Sequence, residues 1–506
     1  MKRIVLSECV VVAAVAALAF TASAEAAVDF TAMERRVRAA DVRDFEVLEV
    51  ATHPAEGNTP ASLDVVYVLR PSADSYIRCR IVLPEASRWK SRLFATGNGG
   101  YAGGLSPFNW EQKMFMRRYG GAVVTTDMGT SRVTSGGKSC GTDWPENVRI
   151  DFASRATHLM ATSAKAICAS VYGARPAKAV FCGGSTGGCQ GMSEAQRHPE
   201  DFDGILVIVA AFNRVGAESL HLHVWKQSHA NDGTPLFAPE QFALLRDCAI
   251  DYMADKDEEY ARGRFLTDPR LTSEQAKGVF DLAASRDSKL ADPSLRKRLE
   301  AIYSPVVVDG RIVHPGAPFG TDIAGMAKQP GFFLFPCWAG SGPASAKSDW
   351  KAFNAWVERD GRRQNAMNPD LSAFKKRGGK LFMTAGLADA TIDWTGILDY
   401  YEDVVRTMGG LESVREFFRL YLLPGQDHGC GGVASSGYWD RQLDAFMDWV
   451  ENGKVPGRMS MTGMAGKAKG ETYEVSAYPM KAVKENGKWV EKPFPRAAAR
   501  IDAFYR

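Results

Sequence analysis

Short apolar runs that end in glycine-rich or polar turns recur along this chain, with helix-patterned segments between them. Residues 92–96 (RLFAT) run into GNGGYAGG, 121–126 (GAVVTT) into Asp127, and 177–182 (AKAVFC) into GGSTGG. Residues 204–209 (GILVIV), 380–384 (KLFMT) and 417–423 (FFRLYLL) continue the series. Near-continuous apolar strands alternating with helices predict a mainly parallel sheet covered on both faces. One covering helix is expected over 151–172, where Phe152, Ala156, Leu159, Ala166 and Ile167 fall roughly on one face. About 170 residues separate the fourth and fifth of these strands, far more than one crossover needs. Residues 215–370 are therefore expected to form an inserted lid domain over the carboxyl ends of the strands. Its aromatics include Trp225, Phe332, Phe333, Phe335, Trp338 and Trp350. Residues 27–214 and 371–506 then make the two parts of the main domain, with an irregular wrap over the last forty residues or so.

Length and charge narrow this picture. At 506 residues the chain is too long for one ordinary core, which agrees with a large insertion. A formal net charge of +3 gives no reason to expect a nucleic-acid partner. The N-terminus MKRIVLSECVVVAAVAALAFTASAEA has Lys2 and Arg3, an apolar run from Val10 to Phe20, and then small residues. That order predicts a signal peptide over 1–26, with cleavage after Ala24 or Ala26, and export to the periplasm or medium. After residue 27 no stretch approaches the twenty or so apolar residues of a membrane span. An exported chain is permitted disulfides, but spacing alone does not pair its cysteines.

The candidate chemistry centres on Gly183-Gly184-Ser185-Thr186-Gly187, a match to G-x-S-x-G between a strand and a helical segment (190–198). That context suits a nucleophile elbow, where small neighbours let a serine stand proud of a tight turn. A serine hydroxyl is a weak nucleophile at neutral pH, so it needs a histidine base, and the histidine needs an orienting carboxylate. In this architecture the chain order is serine, acid, histidine. Of the eight histidines only His428, in PGQDHGCGG, follows the late strands. LFMTAGLADATIDW offers Asp389 and Asp393 as the acid; Asp389 comes first after the turn and is preferred, with Asp393 suited to a helix N-cap. The tetrahedral oxyanion requires backbone donors. The amide of Thr186 and one from GNGGYAGG, Gly100 or its neighbour Gly99, are the candidates. That glycine run lacks the spacing of a phosphate-binding loop.

These residues carry a resemblance. GNGGYAGG, YGGAVVTTDMGT, DFASRATH, GGSTGGCQGMSEAQRHPEDFDGI, LSAFKKRGGKLFMTAGLADATIDW and HGCGG lie between about residues 85 and 455. Together they resemble the tannase and feruloyl esterase family of α/β-hydrolases, which includes mono(2-hydroxyethyl) terephthalate hydrolases. The resemblance implies an α/β-hydrolase fold, with nucleophile, acid and base on Ser185, Asp389 and His428. It also marks departures. The family's cysteines directly before the serine and directly after the histidine, joined as a disulfide, fall on Gly184 and Gly429 here. Cys189 stands where the family usually has arginine, and Cys430 could form a displaced bridge with Cys189 or Cys182. The family's lid calcium loop falls on DCAIDYMADKDEEYARGRFLTDPR. There Asp247, Asp251, Asp255 and Asp257 remain without the glycines and second cysteine, so a solvated acidic helix is favoured over a calcium site.

The sequence thus predicts a secreted serine carboxylesterase that acts on a small aromatic ester through an acyl-enzyme. No cofactor is required, no nucleic acid is engaged, and no membrane contact is expected after signal cleavage. A serine peptidase on the same fold, or an exported binding protein on an inactive scaffold, are the rivals. Oligomeric state is left open.

Overall fold

The computed structural model describes residues 28–105, 109–134, 144–254, 265–325, 349–392, 394–428, 438–463, 469–494 and 505. The strands in chain order are β1 (Phe45–His53), β2 (Ser62–Leu69), β3 (Ile77–Pro84), β4 (Arg92–Thr96), β5 (Gly121–Thr126), β6 (Lys178–Gly184) and β7 (Gly204–Ile208). They continue with β8 (Val306–Val308), β9 (Arg311–His314), β10 (Lys380–Gly386) and β11 (Phe418–Leu423). Nine of them form one sheet in the order β1-β2-β3-β5-β4-β6-β7-β10-β11. From β5 to β11 every pairing is parallel, as the apolar runs predicted. The antiparallel extension β1-β2-β3, joined to β5, was not among the expected strands. Its outer member β1 reads FEVLEVATH, with charge interleaved and no position fully buried, so it gives no continuous apolar signal.

Successive side chains of a strand point to opposite faces, and the parallel strands use both. Leu93, Ala95, Phe181, Ile205, Val207, Leu381 and Met383 join one core, beneath the helices Ala156–Tyr172, Thr186–Arg197 and Trp394–Thr407. Phe94, Val180, Cys182, Leu206 and Phe382 join the other, beneath Trp110–Tyr119 and Tyr438–Asn452. The helix expected at 151–172 opens with a π-helical turn, Asp151–Arg155, and buries Met160, Ala164, Ile167 and Val171. Leu159 and Ala166 lie only half-buried beside that face.

Between β7 and β10 the chain forms the helices Arg214–Ser228, Pro239–Ala254, Ser273–Arg286 and Pro293–Ile302 and the hairpin β8–β9. A separate apolar cluster, including Leu220, Phe242, Leu245, Phe280, Ile302 and Phe319, holds this layer together. Phe353, Trp356, Met367 and Leu371 instead pack into the main core. Of the aromatics expected in the lid, Trp225 is buried in that main core with its ring 3.4 Å from the His229 ring, and Trp350 is half-buried against it. Phe332, Phe333, Phe335 and Trp338 lie outside the described residues, as does the segment 1–26 expected to be a signal peptide.

The C-terminal part is more regular than the irregular wrap expected. Met459–Thr462 pairs with Thr472–Val475, and Met480–Glu485 with Lys488–Pro493. These short strands bury one residue in two or fewer, which leaves little apolar periodicity to read.

Candidate active site

Ser185 stands between β6 and the helix Thr186–Arg197, at φ 55° and ψ −120°. A non-glycine residue in that conformation is strained and must be held by its surroundings. Ser185 N donates to Ile208 O (3.1 Å), and Ala211 N donates to Ser185 O (2.9 Å), so the segment after β7 grips the turn on both sides. The helix starts directly after the serine, earlier than the segment 190–198 suggested. The flanking glycines are required by close approach. A Cβ on Gly187 would lie 2.9 Å from Gly97 Cα, and one on Gly183 would lie 2.7 Å from Gly187 C.

The structure brings the predicted acid and base to this serine. His428 Nε2 lies 3.2 Å from Ser185 Oγ, and His428 Nδ1 lies 2.9 Å from Asp389 Oδ2. Asp389 is buried in the turn after β10, where its Oδ1 accepts the amides of Thr391 (2.8 Å) and Ile392 (2.9 Å). One carboxylate oxygen is thereby fixed by backbone while the other faces the imidazole. Burial opposes the charged form of His428, but the hydrogen bond and charge of Asp389, with Asp427, outweigh it and raise its pKa above the ordinary 6.5. Asp393 lies outside the described residues.

The two residues expected to supply the amide donors are joined to each other. Thr186 is the first residue of its helix, so its N–H has no intrahelical acceptor. Its hydroxyl donates to Gly100 O, and Gly187 N donates to Asn98 O (2.7 Å), tying the loop after β4 to the start of the helix. Gly100 has φ 55°, the left-handed region that favours glycine. Asn98 is anchored in turn, its N donating to Gln190 Oε1 (2.8 Å) and its Nδ2 to Thr126 O (2.7 Å). A serine, an imidazole and a carboxylate joined in this order can carry out acyl transfer.

A sequence model described as tannase and feruloyl esterase matches residues 64–279 and 333–491, well over half the chain. This protein belongs to the tannase and feruloyl esterase family. It is a carboxylic ester hydrolase. A probable feruloyl esterase from Arthroderma benhamiae is 29% identical over 87% of this chain and 86% of its own. An uncharacterized esterase from Xanthomonas campestris pv. campestris is 28% identical over 84% and 82%. Among solved structures, feruloyl esterase B from Aspergillus oryzae superposes with a TM-score of 0.75 at 20% identity, covering 91% of this chain and 99% of that one. Tannin acyl hydrolase from Aspergillus niger gives 0.69 at 18% identity, covering 91% and 94%. Both share the fold.

Around Ser185, His428 and Asp389 lie residues that the sequence did not mark out. Arg214 is buried, and its Nη2 donates to Thr186 Oγ1 at 2.8 Å. Its signal was a lone cation directly after the apolar run VIVAAFN. His221, on the first helix of the insertion, hydrogen-bonds the backbone of Thr391 in the acid turn; burial pushes its pKa down to about 4, so it stays neutral. Arg78 makes an ion pair with Asp127 (2.9 Å), and Gly103 N donates to Asp127 O (3.1 Å), which supports the glycine loop from below.

The SEAQRHPEDFDGI stretch lies farther along the same helix and the turn after it. Glu194 is fully buried, and burial followed by the neighbouring Asp201 charge raises its pKa well above the carboxylate range. Asp201 is engaged by His158 Nδ1 (2.6 Å) and by Lys165 (3.7 Å). Among the described residues, metal-ligating side chains draw together at His158 with Glu194 and Asp201, and at His158 with His198 and Glu200. Both groups lie away from the serine turn. Asp247 and Asp251 sit on the helix Pro239–Ala254, paired with Arg246 (2.9 Å) and Arg286 (2.7 Å); Asp255 and Asp257 lie outside the described residues. Cys182 and Cys189 are buried as thiols rather than as members of the displaced bridge. The Cys189 thiol points to Gln364 O at 3.4 Å. At Gly184 a Cβ would lie 2.9 Å from Ile208 Cγ1, so Ile208 occupies the space a side chain would need; Gly429 and Cys430 lie outside the described residues. A cavity of about 550 Å³, bounded by Phe280, Tyr303, Phe319 and Leu398, is lined by none of Ser185, Asp389 and His428.

Proposed function

We propose that this esterase is an exported serine hydrolase that cleaves esters of aromatic acids through an acyl-enzyme. Ser185 Oγ attacks the ester carbonyl while His428 Nε2 takes its proton, and Asp389 holds the imidazole and offsets the charge it gains. The amides of Thr186 and Gly100 receive the oxyanion; a single donor of this kind is worth about 10²–10³ in rate. His428 then gives its proton to the departing alcohol, and water repeats the cycle on the acyl-serine. No step draws on calcium or any other cofactor.

The observation that carries this reading is the unbroken line from Ser185 Oγ through His428 to Asp389, built on a serine held at a positive φ. The relatives' names, feruloyl esterase and tannin acyl hydrolase, support an aromatic acyl group. The apolar N-terminal run behind Lys2 and Arg3 supports export, with the residues from 215 to 370 acting as a lid over the site. S185A and H428A are each expected to abolish nearly all release of acid from a panel of gallate, ferulate, caffeate and terephthalate esters. A fluorophosphonate probe should label Ser185 covalently. Either variant retaining a tenth of the wild-type kcat would overturn the assignment. An active protein that cleaves peptides and none of these esters would shift the reading to a peptidase.

A further inference from the structure

The segment that grips the serine turn leads directly into the first helix of the insertion, Arg214–Ser228. That helix start is firmly placed. Asn213 caps it by accepting Gly216 N (3.0 Å), and Val215 N donates to Asn365 Oδ1 (3.1 Å). Arg214, 4% exposed, lies with its guanidinium 5.0 Å from the Phe152 ring centroid and 5.8 Å from that of Tyr101. Between this cation and the loop after β4 stands one hydroxyl. Arg214 Nη2 donates to Thr186 Oγ1 (2.8 Å), and Thr186 Oγ1 donates to Gly100 O (2.5 Å).

The direction of this chain follows from valence. A guanidinium carries donors only, so Thr186 Oγ1 must accept from it, and the hydroxyl's single proton is left for the Gly100 carbonyl. A hydroxyl that accepts from a cation is polarised and donates more strongly, in a site where water is largely excluded. We propose that Arg214 is a positioning residue for the oxyanion hole, acting through the Thr186 hydroxyl to hold the Gly100 loop against the start of the serine helix. Both amide donors belong to residues that this relay joins: Thr186 is its middle member and Gly100 its end. The inference rests on the reading of Ser185 as nucleophile and of these two amides as the oxyanion donors.

The test compares oxo-esters with the matching thionoesters, whose larger, more weakly hydrogen-bonding sulfur profits less from an oxyanion hole. R214M and T186V are each expected to lower kcat on the oxo-ester about tenfold or more, with KM changed less than about threefold, because a donor misplaced in the transition state costs rate rather than ground-state binding. The oxo-to-thiono rate ratio should fall by a similar factor. The double variant should be no worse than the poorer single one, since both cut the same relay. T186S keeps the hydroxyl and should keep the ratio, so the Thr186 pair tests the relay even if R214M fails to fold. A purely structural role would lower both rates together and leave the ratio unmoved, and that result would overturn the proposal. If S185A kept its activity, the nucleophile reading would fall and the relay with it. A dead S185A beside an unchanged ratio in R214M and T186V would overturn the relay alone.

Discussion

At the scale of single residues, the raised pKa of His428 predicts the pH behaviour of the proposed mechanism. With the neutral imidazole as the proposed base, kcat/KM should rise with pH through an apparent pKa above 6.5. Burial alone would lower that pKa, and Asp389 is the main group that reverses it. In D389N the carboxylate charge is gone, so the rising limb should move to lower pH while kcat falls by several orders of magnitude, about 10⁴ in a comparable triad. A pH–rate profile with its limb unmoved would remove Asp389 from this role. Ser185, Asp389 and His428 were legible because a serine between glycines, an acid after a late strand and a histidine after the last strand each leave a local mark. Arg214 left only its charge in an apolar setting, which has no meaning until its neighbours are known.

At the scale of elements, the serine turn is a contact between two backbones. The helix Thr186–Arg197 and the loop after β4 approach so closely at Gly187 and Gly97 that neither can carry a side chain. G187A would set a Cβ 2.9 Å from Gly97 Cα and 3.1 Å from Gly97 C, atoms that no rotamer change can move aside. It should cost about 1–3 kcal/mol as overpacking, and activity should fall further than stability because Gly100 lies on the displaced loop. G104A, with nothing within 4 Å of its Cβ, is the control and should stay within about 0.5 kcal/mol. Thermal melting and kcat measured on both variants separate the effects; equal behaviour of the two would contradict the packing argument. The central parallel strands were legible because burial on both faces demands an unbroken apolar run. The strands β1, β2 and β3 were not singled out, and for β1 the reason is plain: as the outermost strand it is never fully buried and tolerates charge along its length.

At the scale of the whole molecule, distant segments close the structure. Tyr505 is buried against Phe353, its hydroxyl donates to Asn354 Oδ1 (3.1 Å), and its carbonyl accepts Asn365 Nδ2 (3.3 Å). Asn365 is also the residue that holds Val215 N at the start of the insertion. Y505A should therefore cost about 3–5 kcal/mol, the usual range for emptying a large aromatic site. It should shift the urea midpoint with the m-value unchanged; a shift under about 1 kcal/mol would mean that Tyr505 is not part of the core. Nothing in the sequence near Tyr505 announces that partnership. By itself the sequence determined what short-range sterics and burial dictate: the parallel core, the strained serine turn, and the order serine, acid, histidine. Only the tertiary structure decided which groups meet, because His428 is 243 residues from Ser185 and 39 from Asp389. Contacts over such separations depend on how the whole sheet and the insertion pack, so the Arg214–Thr186–Gly100 relay could be read only in the folded chain.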